Sequence, residues 1–144
     1  MMVLRCSSDA ASLHELVSLS EGLGDLLILA PKAVRTGKEL EAAFAMARSA
    51  FSEGRNLSPK VANEAMLFLA HETNFSSAAR KVGAISPDDF VLVSEAKIPI
   101  AKLKAKLLLT RAQSLALSEW GAKKGGFAEA ELAIEKMALA RIKN

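Results

Sequence analysis

Tyrosine is absent from the 144 residues, and tryptophan and cysteine occur once each, the cysteine being Cys6. A single thiol forms no internal disulfide, and with only His14 and His71 beside it no cysteine-rich zinc site can be assembled, so no metal is expected. The shortage of aromatic rings argues against a broad platform for stacking single-stranded bases. No apolar run reaches the roughly 18 residues of a membrane helix, and the opening Met1-Met2-Val3-Leu4-Arg5-Cys6 lacks the basic region and long apolar stretch of a secretory signal. A cytoplasmic protein without membrane association is expected. Signature motifs are missing as well: there is no Gly-x-x-x-x-Gly-Lys-Ser/Thr loop, no Gly-x-Gly-x-x-Gly, no His-Glu-x-x-His and no Gly-x-Ser-x-Gly. Neither a cofactor nor catalytic activity is expected.

What is present is the material of one globular domain over residues 1–144, with 51% hydrophobic residues. The formal net charge of +3 is unevenly spread. Residues 1–72 hold seven basic against nine acidic side chains (net −2), and residues 73–144 hold twelve against seven (net +5). A basic half fits an anionic partner, with nucleic acid the commonest, and equally fits a solvated basic face.

Local patterns outline the elements. Met2 to Cys6 reads as a strand, Ser7-Ser8-Asp9 as capping material, and Leu13, Leu16 and Val17 as one face of a helix. Leu26 to Ala30 before Pro31 reads as a buried strand, and Thr36 with Glu39 has capping-box spacing ahead of the stripe Leu40, Ala43, Phe44, Ala47, Ala50 and Phe51. Ser58 and Pro59 fit a helix start, Asn74 a second start, and Gly83 a terminator with positive φ. Phe90 to Val93 is short and β-branched, hence a strand. A long helix over Pro99 to Trp120, a glycine-rich break around Lys123-Lys124 and a last helix from Phe127 to about Ile142 complete the chain. The expected class is α+β, a small mixed sheet of three or four short strands covered by helices.

Few side chains invite a chemical role. His71-Glu72 and Asp88 are the only grouping for a small-molecule site or enzyme, but a histidine ending a helix meets the negative end of its dipole and Asp88-Asp89 after Pro87 is turn chemistry. Leu67 stands in a row with Lys60, Glu64 and His71, which marks either a partner-binding face or an internal layer. Arg80, Lys81, Lys97, Lys102 and Lys106 are the basic candidates for RNA, with Lys102 and Lys106 on one helix face. At the elbow, Phe75 can stack on one base and Asn74 read a base edge; the structural alternative has Phe75 anchoring the elbow and Asn74 capping a helix.

The run Leu57 to Gly83, with Glu64, the Leu67 to Ala70 stretch, Asn74 and Gly83 at the matching positions and the Phe90 to Val93 strand after it, resembles the small non-catalytic subunit of the KEOPS complex, the PRPK-binding protein family. The likeness extends over residues 26–94, and Phe75 replaces the aliphatic residue usual there. The resemblance implies an accessory subunit of transfer-RNA threonylcarbamoyladenosine biosynthesis, with transferase and kinase-like ATPase on other subunits. It implies docking on the kinase-like ATPase and holding transfer RNA, notably its 3′ CCA end, with His71, Asn74 and Phe75 as the elbow. A ligand-binding domain or enzyme near His71, Glu72 and Asp88, and a structural homo-oligomer using the Leu67 row, stand as the alternatives.

Overall fold

The computed structural model of the chain describes residues 1–33, 36–115, 132 and 134–139. They fall into two compact units. The first, Met1–Pro31 with Gly83–Leu115, contains the sheet. The second contains Lys32–Val82 and the helical residues 134–139. No helix among the described residues is long and apolar enough to cross a membrane.

In the first unit β1 (Met2–Ser8) pairs with both β3 (Phe90–Ser94) and β4 (Leu109–Ser114), and β2 (Leu26–Leu29) pairs with the far edge of β3. The class is α+β with four strands in the order β2-β3-β1-β4, and every pairing is antiparallel where a mixed sheet is expected from the sequence. Leu4 and Cys6 alternate with Val3 and Arg5 along β1, so the strand sends two rows of side chains to opposite faces. Against the first row pack α1 (Leu13–Ser20) and α5 (Ile100–Leu107): Leu4, Cys6, Phe90 and Leu92 meet Leu16, Leu103 and Leu107 in one buried cluster. Each such large side chain removed from water contributes about 1.5–3 kcal/mol. On the other face Val3, Leu27, Leu29, Val91 and Val93 are buried too, which explains why Phe90–Ser94 is apolar almost without interruption. Cys6 is fully buried, and burial pushes its thiol up to about 11 against the smaller opposing pull of Arg111. It is packing material, not a reactive group.

Several local expectations are corrected by pairing. Ser7 and Ser8 belong to β1, and Ser12 caps α1 by accepting from the Glu15 N–H at 3.1 Å. The expected helix from Pro99 to Trp120 stops at Leu107: Leu108 turns left-handed (φ 55°, ψ 41°) and β4 follows at once. The reason lies 100 residues upstream, because Ser8 Oγ donates to the Leu107 carbonyl at 2.7 Å and the Asp9 N–H to the Leu108 carbonyl at 2.9 Å. Those bonds, with the β1 pairing, outweigh a left-handed leucine that costs roughly 1–2 kcal/mol. Gly83 adopts no positive φ and instead bridges Leu29 antiparallel. Residues 116–131, including Lys123-Lys124 and the start of the last expected helix, lie outside the described residues.

In the second unit α2 (Gly37–Ser52) opens on Thr36, whose Oγ1 accepts from the Glu39 N–H at 3.2 Å, and closes on Gly54 at φ 70°. There the Gly54 and Arg55 N–H groups bond back to Phe51 and Ala50, which requires the left-handed glycine. The small residues Ala43, Ala47 and Ala50 let α3 (Val61–Ala70) pack closely against α2, and α4 (Phe75–Val82) packs on α3. All of α3 from Glu64 to Ala70 is buried. Leu67, at 2% exposure, belongs to an internal layer and does not present a surface row.

Leu67→Glu should therefore lower stability by several kcal/mol, on the order of 3–5, because it places an unpaired charge in that layer. Urea denaturation checks this, and a loss below about 1 kcal/mol would return Leu67 to the surface.

Candidate nucleic-acid interface

The elbow between α3 and α4 is built from both sides. Upstream, the loop before α3 is tied by Glu64, whose buried carboxylate accepts the Leu57 and Ser58 N–H groups at 2.9 and 2.8 Å through one oxygen. Ser58 is held through its backbone while its Oγ accepts from the Lys60 N–H at 3.5 Å, and α3 begins at Val61 after Lys60 in extended conformation, later than a Ser58 cap implies. Downstream, α3 ends when His71 turns left-handed (φ 56°, ψ 40°). The His71 N–H reaches Phe68 and the Glu72 N–H reaches Leu67 at 3.0 Å, a Schellman closure on a residue other than glycine. The His71 ring is held with Nε2 shielded from solvent. Asn74 Oδ1 accepts from the Ser77 N–H at 3.1 Å and so caps α4 as the structural reading holds.

What the elbow exposes is then limited and specific. Phe75, in the first turn of α4, is 48% exposed, so it is no core anchor. Arg80 is exposed and donates to Ser77 Oγ at 3.3 Å within its own helix. Lys81 turns back: its Nζ lies 2.8 Å from Glu72 Oε1 and 3.5 Å from the Ala70 carbonyl, where the C-terminal dipole of α3 favours a cation. Its charge is matched by Glu72, whereas Arg80 forms no ion pair among the described residues.

The remaining basic candidates belong to the sheet unit. Lys97 lies exposed after β3 and lines an open cavity of about 400 Å³ with Met1, Met2, Val3, Glu95, Ser114 and Leu115. Lys102 and Lys106 are exposed on α5, flanking the buried row of Leu103 and Leu107, and Lys106 passes over Gly22, where an added Cβ would meet its Cε at 3.7 Å. None of Lys97, Lys102, Lys104 and Lys106 forms an ion pair among the described residues. The structure thus brings His71, Asn74, Phe75, Arg80 and Lys81 together in one unit and Lys97, Lys102 and Lys106 in the other.

The grouping of His71, Glu72 and Asp88 does not form within either unit. His71 and Glu72 flank the elbow, whereas Asp88 lies in the sheet unit, its N–H donating to Ser86 Oγ and its carbonyl accepting from Ser7 Oγ. No cluster of three His, Cys, Asp or Glu side chains suited to a metal occurs among the described residues. One charged group carries no local sequence signal: Arg5 donates to Asp89 from Nε at 3.0 Å and Nη2 at 2.7 Å, with Arg111 Nη2 3.9 Å from the same carboxylate. The Arg5 hydrogen bonds hold the Asp89 carboxyl below its usual range, and the same bonds raise Arg5. A lowered carboxylate stabilises the fold above the unfolded value near 4 and loses that contribution as pH falls further. Strand pairing across 84 residues creates this contact, so no motif could announce it.

No family model and no curated protein matches this chain.

The two ends of the elbow should respond differently to truncation. Glu64→Ala removes the acceptor of the buried Ser58 N–H and the part-buried Leu57 N–H and should cost about 2 kcal/mol or more, while Phe75→Ala, at a half-exposed site, should cost less than about 1 kcal/mol. Guanidinium denaturation of both variants measures the contrast; equal losses would contradict it.

Proposed function

We propose that this chain is a non-catalytic accessory subunit of KEOPS type, acting in the cytoplasm in transfer-RNA threonylcarbamoyladenosine biosynthesis. It docks on a kinase-like ATPase subunit and holds transfer RNA through phosphates, with the elbow set against the 3′ CCA end. The observation that carries the reading is the elbow: a rigid, doubly capped turn that leaves Phe75 half exposed at the start of the helix that also carries Arg80, which forms no ion pair among the described residues. A ring held outside the core by a strongly fixed backbone is suited to stacking on one base, since its ordering cost is already met by folding. The lysines of α5, without an ion pair among the described residues, supply cations for the phosphates, and the resemblance of Leu57 to Gly83 supplies the biological setting. Docking on the ATPase subunit does not rest on Leu67, which is buried.

Binding of transfer RNA should weaken with salt. Three or four neutralised phosphates at about −0.7 each give a slope of log affinity against log salt of roughly −2 to −3. Removing the terminal CCA should reduce affinity, and Phe75→Ala should reduce it for the intact molecule by on the order of 1–3 kcal/mol without a matching loss of stability. Equal binding of intact and trimmed transfer RNA, with Phe75→Ala neutral, would overturn end recognition.

A further inference from the structure

The sheet has one face that changes character across its width. In register, Leu27 and Val3 flank Val93 and Leu29 faces Val91, all buried, but farther along β1 and across β4 the same face turns polar: Arg5 faces Gln113 and Ser7 faces Arg111. Directly opposed residues of antiparallel strands share a face, so Arg5, Ser7, Arg111 and Gln113 form one patch. It is open, with the Arg5, Arg111 and Asp89 side chains 46%, 59% and 43% exposed. Two guanidiniums share one carboxylate there. The charge of Arg5 is set by Asp89, while Asp88 gives its backbone oxygen to Ser7. The trio thus carries a net +1.

The two arginines are not equivalent. Arg5 spends Nε and Nη2 on a two-pronged bond to Asp89 and is thereby fixed on the central strand. Arg111, at 3.9 Å, is within ion-pair reach of Asp89 but too far for a hydrogen bond to it, so its planar fork is steered while its donors make no hydrogen bond among the described residues. Gln113, two residues along the same strand, adds an exposed amide roughly 7 Å away. A guanidinium fork matches the paired oxygens of a phosphate better than a lysine does. The exposed Arg111 and Gln113 side chains are spaced along one strand, so a polyanion laid across them is the occupant that fits their spacing and the net positive charge.

We propose that the β1/β4 face is a second phosphodiester contact for RNA, with Arg111 as the binding residue, Gln113 beside it, and Asp89 and Arg5 as the pair that positions Arg111. The site rests on the RNA-binding reading above but differs from the elbow in chemistry, because it reads backbone only. Its contribution should be indifferent to the 3′ end.

Fluorescence anisotropy with intact and CCA-trimmed transfer RNA across a salt series tests this in the full-length protein. Arg111→Ala should weaken both RNAs alike, by roughly threefold to tenfold at low salt, and should reduce the salt slope by about 0.7–0.9. Arg111→Lys should restore the slope, because the charge returns, and it serves as the check should the alanine variant fold poorly on the edge strand. Wild-type affinity and slope for both variants, in a protein whose binding still falls with salt and with Phe75→Ala, would overturn this site and leave the elbow reading intact. No salt-sensitive RNA binding by the wild type would remove both. Loss of binding to the kinase-like subunit with RNA affinity unchanged would overturn the site in favour of an acidic protein surface.

Discussion

Everything in the sheet unit depends on β1 being placed between two partners that the chain supplies more than 80 residues later. The pairs Met2 with Ser94 and Cys6 with Phe90 draw the start of the chain onto β3, and the pairs Leu4 with Ser114 and Ser7 with Arg111 draw β4 onto its other edge. One consequence is the core, since Leu4 and Cys6 meet Phe90, Leu92, Leu103 and Leu107 only in this arrangement. Another is electrostatic: Arg5 and Arg111 converge on Asp89, just ahead of β3, because β1 pairs with both β3 and β4. Such non-local pairing is slow to form, as long loops must close before the apolar contacts reward it. The sheet is therefore expected to consolidate late relative to the helices of the second unit.

The helical unit is governed by shorter-range bonds. Glu64 reaches back seven residues to Leu57, Asn74 forward three to Ser77, and Lys81 back nine to Glu72. These local ties hold the elbow backbone in addition to apolar packing, the Glu64 tie most firmly because its acceptor is buried and burial would penalise leaving its donors unpaired. The left-handed His71 is the one strained position within them. It persists because the Schellman bonds to Leu67 and Phe68 demand that conformation.

Legibility in the sequence follows the same division. Thr36 with Glu39 and Asn74 with Ser77 were readable as caps, and the α2 stripe and the β2 and β3 strands as apolar patterns, because each signal lies within a few residues. The stretch Leu107-Leu108-Leu109 was not, since its helical propensity is overruled by carbonyl bonds to Ser8 and Asp9 and by the ladder to β1. Ser7 and Ser8 look like caps for the same reason, their strand role being decided by distant partners. Of the candidate site, the elbow residues and the α5 lysines were recognisable as types. That Lys81 is neutralised by Glu72, that Leu67 is internal, and that Arg5 and Arg111 share Asp89 depend on three-dimensional neighbours.

Recognition of RNA requires the elbow to be a binding surface and not only a well-made turn. Amide NMR of the protein titrated with a short single-stranded RNA ending in CCA addresses this most directly. The account predicts saturable shifts concentrated at residues 71–76, with Phe75 ring resonances moving upfield as stacking places a base over it, and little response at the elbow to an RNA of equal length lacking that end. Shifts of equal size with either RNA, or perturbations confined to the lysines of α5 with the elbow silent, would contradict it.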